Sequence, residues 1–197
     1  MSLSEIPNID QLQTDLTARW HKEEPSEGGN GFLALVQKQH LQNFLLWHEE
    51  DIARAPNETD KTIAGVKRNI DGYNQRRNDL IEKLDEALIT TLVESGTKLP
   101  NDAPLNSETP GSMIDRASIM SIRIFHMLEQ AQRKDVDQAH IDQTTEKVRV
   151  LLIQRGDLLG CLDAILKETQ DGTRQFKIYR QFKMYNDPSL NPKIYEA

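Results

Sequence analysis

Apolar residues recur at steps of three and four along most of the chain, the spacing that gathers them on one face of a helix. Ile9, Leu12, Leu16 and Trp20 form the first such stripe, after the capping-type residues Asn8 and Asp10, and it stops at the linker KEEPSEGGNG. A second helix is predicted over 32–54, where Leu41, Phe44, Leu45, Leu46, Trp47 and Ile52 are apolar on more than one side. The third, over 58–93, carries Ile63, Val66, Ile70, Tyr73, Ile81, Leu84 and Leu88. The turn-rich stretch SGTKLPNDAPLNSETPGS follows. Thr109 and Pro110 read as N-cap and first-turn proline of a fourth helix ending near 133. A fifth, over 136–169, has Ile141, Val148, Leu152, Leu159, Leu162 and Leu166 in register, and Asp171-Gly172 ends it. A short final helix is predicted over 174–185, before NDPSLNPKIYEA, whose two prolines stop a helix.

The expected architecture is all-α: one domain with an N-terminal helix and linker (1–30), a bundle (31–172) and a C-terminal helix and tail (173–197), about five main helices in all. A length of 197 residues is enough for one buried core. The formal net charge of −7 argues against a nucleic-acid partner. No apolar run is long enough to span a membrane, and the start MSLSEIPNIDQLQTDLTARW lacks the basic and apolar parts of a signal peptide, so a cytoplasmic protein is expected. The lone Cys161, in LLGCLDAIL, excludes an internal disulfide and reads as a buried, inert thiol. There is no Gly-rich phosphate loop and no Gly-x-Ser-x-Gly elbow.

Candidate chemistry comes from polar residues in the apolar stripes, because burying them unpaired is costly. Arg77 lies between Ile70 and Leu84 with Asn74 and Asn78 beside it, and Arg155 lies between Val148 and Leu162. His48 and Asp51 are three apart on one face, and Asp115 aligns with His126 three turns on. These groups admit two readings, a structural network that pairs the arginines with Asp51, Asp115 or Asp157, and a polar pocket. In the pocket reading Arg77 and Arg155 grip a phosphate or carboxylate, Asn74, Asn78 and Asp115 orient the ligand, and His48 with Asp51 is the acid/base pair. A metal on His48, Asp51, His126 and Asp115 is the weaker option, since no Glu-x-x-His pair occurs; no metal ligand is assigned and no cofactor is specified. Glu82 and Asp85 have a spacing that a metal-dependent phosphohydrolase would use. RQFKIYRQFK, with four basic residues and three aromatics, reads as a short helix pinned to the bundle or a lip for a ligand or protein partner.

HLQNFLLWHEEDIAR, NQRRNDLIEKLD, LNSETPGSMIDRASIMSIRIFHM, DLLGCLD and YRQFKMYNDPSLNPKIY together resemble a bacterial family known as domain of unknown function 4254, over most of the chain from His40 onward. The resemblance implies a single-domain cytoplasmic bacterial protein without an established activity, encoded near glycosyltransferase and cell-envelope polysaccharide genes. It brings no catalytic residues with it. ETPGSMIDRASIM also looks like the GELIDKLTIL pattern of another polysaccharide-linked family: Gly111, Ile114, Asp115 and Ile119 match, while Ser112 and Arg116 differ. On that likeness the helix start near 107–115 would hold an anion on free backbone N–H groups. The function expected is binding or processing of a phosphorylated or nucleotide-linked sugar in envelope-glycan synthesis. The alternatives are a non-catalytic accessory protein, docking a partner or a second copy, and a metal-dependent phosphohydrolase.

Overall fold

The computed structural model describes residues 6–98, 102–182, 184 and 187–196. Its helices are α1 (Ile6–Trp20), α2 (Phe32–Arg54), α3 (Asp60–Glu94), α4 (Pro110–Ala131), α5 (Gln138–Gln170) and the single turn α6 (Pro192–Tyr195). The described residues form no strand, and Leu105 and Gln175 make one isolated bridge. α2 runs along α3 and α4 along α5, while α1 packs on α2, α4 and α5. α4 is therefore the central helix, touching all four other long ones. Among the described residues, no helix is long and apolar enough to cross a membrane.

The stripes become one main core of Ile9, Val36, Leu84, Leu88, Leu92, Met113, Ile114, Leu162, Ile165 and Leu166, and a smaller one of Leu16, Trp20, Leu41, Phe44 and Ile122. Three of the long helices begin where a side chain supplies a missing acceptor: Thr59 for the N–H of Thr62, Thr109 for Ser112 and Asp137 for His140. Each such cap is worth about 1 kcal/mol. On α5 the inward row is Val148, Leu151, Arg155, Leu158, Leu162, with Leu152 outside and exposed. Cys161 falls on that outer side too and is exposed, contrary to the buried thiol expected from its apolar neighbours.

The C-terminal segment departs from expectation. Residues 174–182 are not helical. The Gln175 N–H donates to the Pro104 carbonyl and its own carbonyl accepts from Asn106, Phe176 enters the main core, and Arg180 pairs with Glu82 and Glu86 on α3. The Gln175 backbone is thus paired with the 102–106 loop and the Arg180 side chain with α3, long-range partners that hold the segment extended instead of helical. Of the expected helical end, 183 and 185 lie outside the described residues. Helix instead appears beyond it, where Pro192 occupies a first turn capped by Asn191, the one helical position that suits proline.

The α4 N-terminus is filled from within. The Gly111 N–H donates to Asp85 Oδ1 at 2.7 Å, and Asp85 is 2% exposed. A carboxylate from α3 thus takes the position expected for an external anion, and Glu82 is tied to Arg180 and to the Gln181 N–H, so Glu82 and Asp85 are not a pair poised for a metal. Burial raises the Asp85 pKa to about 6 despite the hydrogen bond from Gly111. The folded state therefore holds this proton more tightly than the unfolded chain, and the stability it contributes is full below pH 4 and is lost as pH rises through 6. Asp85→Asn removes the titration and keeps an acceptor oxygen for Gly111. Relative to the parent, the variant should gain about 2–3 kcal/mol between pH 4 and 7. Urea midpoints at four pH values check this; parallel curves would mean that Asp85 ionises normally.

Candidate functional site

A cleft of about 420 Å³ opens between α2, α3 and α4, lined on α2 by Trp47, Glu50, Asp51 and Arg54, on α3 by Asn74 and Arg77, and on α4 by Ile119, Ile122 and Arg123. Its polar content follows from helix spacing: Trp47, Asp51 and Arg54 are one turn apart on α2, as are Asn74 and Arg77 on α3. Three guanidiniums face two carboxylates. Arg54 is held by Glu50 at 3.0 Å and Asp51 at 4.0 Å. Among the described residues Arg77 has one ionic neighbour, Asp115 at 3.8 Å, and its buried Nε makes no hydrogen bond with any of them. Arg123 is exposed and has no ion pair or hydrogen bond with a described residue.

Behind Arg77 lies a buried polar network. Asp115 Oδ1 accepts from Gln39 at 2.6 Å and Asn43 at 2.9 Å, and Asn43 also donates to Ser118 Oγ. His40 bridges Ser118 and Thr17 through its two ring nitrogens, at 2.7 and 3.0 Å. Burial takes the His40 pKa down to about 3, so its ring is neutral, and raises that of Asp115 against the pull of Arg77 and Asn43. This network joins α1, α2 and α4 with little access to solvent.

The predicted site residues divide. Asn74, Arg77 and Asp51 line the cleft together, and Asp115 stands directly behind Arg77. Asn78 is buried beneath Arg180 and Phe182 at a separate small hollow. Arg155 is elsewhere: its side chain, 8% exposed, donates to the Ala117 carbonyl and Gln13 Oε1, both at 3.1 Å, and pairs with Asp10. None of Asp51, Asp115 or Asp157 is its partner, and it borders none of the hollows described.

His48 makes no hydrogen bond with a described residue, and Asp51 pairs with Arg54 instead. His48 belongs to a ring cluster that the sequence did not reveal. The His21 ring stacks on Phe125 at 4.1 Å and meets His126 at 4.8 Å and His48 at 5.3 Å. Trp47, a wall of the cleft, stacks on His126 at 5.0 Å. Burial lowers the His48 pKa, with the neighbouring His21 and His126 adding to it. His21 and His126 are 105 positions apart, so no spacing rule could join them; the one available signal was that His126 shares a face with Ile122.

Residues 33–178 match the model of a family described as a protein of unknown function, DUF4254. No curated protein and no solved structure matches the chain.

Proposed function

The chain belongs to the DUF4254 family, whose name carries no activity, and from the chemistry of its cleft we propose that it binds a phosphorylated or nucleotide-linked sugar there, as an enzyme or accessory of envelope-glycan synthesis in the bacterial cytoplasm. The observation that carries this reading is Arg77, a guanidinium on the cleft wall that makes no hydrogen bond with a described residue and whose one ionic neighbour among them, Asp115, is 3.8 Å away. An incoming phosphate would meet the outer guanidinium nitrogens, which hold no hydrogen bond with a described residue, since the guanidinium fork matches two phosphate oxygens. Arg123, across the cleft, has a free charge for the same anion. Trp47, Ile119 and Ile122 offer an apolar wall to a sugar or base face, and Glu50 and Asp51 can accept from sugar hydroxyls. In this reading Asp51 is the group best placed for acid–base work on the ligand, and His48 stands one turn back from it.

The test is calorimetric titration with nucleotide sugars, sugar phosphates and inorganic phosphate, in parent and Arg77→Met chains. Charge-assisted hydrogen bonds are worth about 1.5–3 kcal/mol, so Arg77→Met should weaken the best ligand about 10- to 100-fold. The variant should remain folded, because Asp115 keeps Gln39 and Asn43. Unchanged affinity in Arg77→Met, or no binding by any of the compounds, would remove the cleft from consideration.

A further inference from the structure

We propose that His21, His48 and His126 form a binding site for a divalent transition metal, zinc first, at the end of the cleft behind Trp47. One ring nitrogen from each lies within 4.8 Å of those of the other two. The hydrogen bonds on the far sides of the rings decide which nitrogens carry lone pairs. His21 Nδ1 is 2.7 Å from the Thr17 carbonyl oxygen, which can only accept, so Nδ1 bears the hydrogen and Nε2 the lone pair. His126 Nδ1 is 2.8 Å from Glu129 Oε2, so Nδ1 bears the hydrogen and, in the neutral ring, Nε2 bears the lone pair. Those two Nε2 atoms face each other at 3.3 Å.

Two lone pairs pointed at one another repel unless a proton or a metal ion lies between them. Two nitrogens each about 2.0–2.1 Å from a tetrahedral zinc stand about 3.3 Å apart, which is the separation found. His48 supplies the third ligand by rotating about χ2, a soft torsion, and no hydrogen bond with a described residue holds its ring back. A backbone carbonyl and a carboxylate on the outer ring nitrogens are the partners that orient metal-binding imidazoles. The apolar surround of Phe44, Trp47 and Phe125 raises the cost of leaving the lone pairs unpaired. Three imidazoles suit zinc, and a tetrahedral ion would keep one position for water or a ligand.

The test uses full-length chain carrying no histidine tag, stripped with a chelator and titrated with ZnCl2 in competition with a chromophoric zinc indicator. One zinc per chain is expected, and Co2+ in its place should give the intense visible bands of tetrahedral coordination. Glu129→Gln, an exposed change, should weaken zinc about 10- to 100-fold without altering the melt of the metal-free chain. His126→Gln should lose more, and His140→Gln, outside the cluster, should bind as the parent does. Failure of the parent to take up zinc, or parent-like affinity in both His126→Gln and Glu129→Gln, would overturn the site. Sugar-phosphate binding measured in excess chelator reports on the cleft separately, so either reading can fail alone.

Discussion

Gly111→Ala is expected to lower stability by about 2–4 kcal/mol, which for a chain of this length is a fall in Tm of roughly 5–15 °C. A Cβ at Gly111 would stand 2.6 Å from the Ile81 carbonyl oxygen and 2.9 Å from Asp85 Oδ1. The first contact is with the backbone of α3, which has no rotamer to change. The α3–α4 packing must open, and opening it stretches the Gly111 to Asp85 hydrogen bond that satisfies the start of α4. The same substitution at Gly160, in mid-α5 with nothing within 4 Å, should be neutral or stabilise by up to about 1 kcal/mol through the loss of glycine's freedom. Thermal melts of the two variants side by side check the pair. A Gly111→Ala chain that melts with the parent would mean that α4 does not approach α3 so closely.

The sequence made the helices legible wherever the cause was local. α2 runs over the predicted span, and Thr109-Pro110 starts α4 as their chemistry requires. The segment 174–182 was misread because what it answers to lies far off in sequence: Pro104, Asn106, Glu82 and Glu86 satisfy groups that local spacing assigned to a helix. A proline-based rule failed at Pro192 for the opposite reason, since the first turn is where a missing N–H costs nothing. Periodicity placed Arg77, Asn74, Asp51 and Asp115 on inward faces, and the fold turns those faces toward one another. It could not say which inward arginine meets solvent. Nor could it deliver His21 or Asp10, because both come from α1 and its end, and nothing in a 3.6-residue repeat states which helix packs on which. The metal-ligand set inferred from spacing held two of the three histidines that gather, His48 and His126, and filled the rest with Asp51 and Asp115, which the fold pairs with Arg54 and Arg77.

Arg155→Met should cost about 2–4 kcal/mol while leaving ligand affinity at the cleft unchanged. In the folded chain the guanidinium donates to the Ala117 carbonyl on α4 and to Gln13 Oε1 and Thr14 Oγ1 on α1, and pairs with the Asp10 carboxylate. Methionine fills much of the stem's volume, so the loss is chiefly polar: Gln13, fully buried, keeps one amide bond, to Ile114, and loses the other. Asp10, with a side chain 48% exposed, can be rehydrated, which keeps the cost below that of orphaning a wholly buried ion. Arg155→Lys should recover only part of the stability, because one ammonium cannot reach acceptors on two helices at once. The opposite signature is expected of Arg77→Met, with affinity lost and stability nearly kept. Two arginines that look alike in the sequence, each midway along an apolar stripe, therefore separate on two measured axes. Urea denaturation and calorimetric titration of both variants decide it: loss of ligand affinity in Arg155→Met would return that residue to the site, and an unchanged urea midpoint would mean that it does not hold α1 to the bundle.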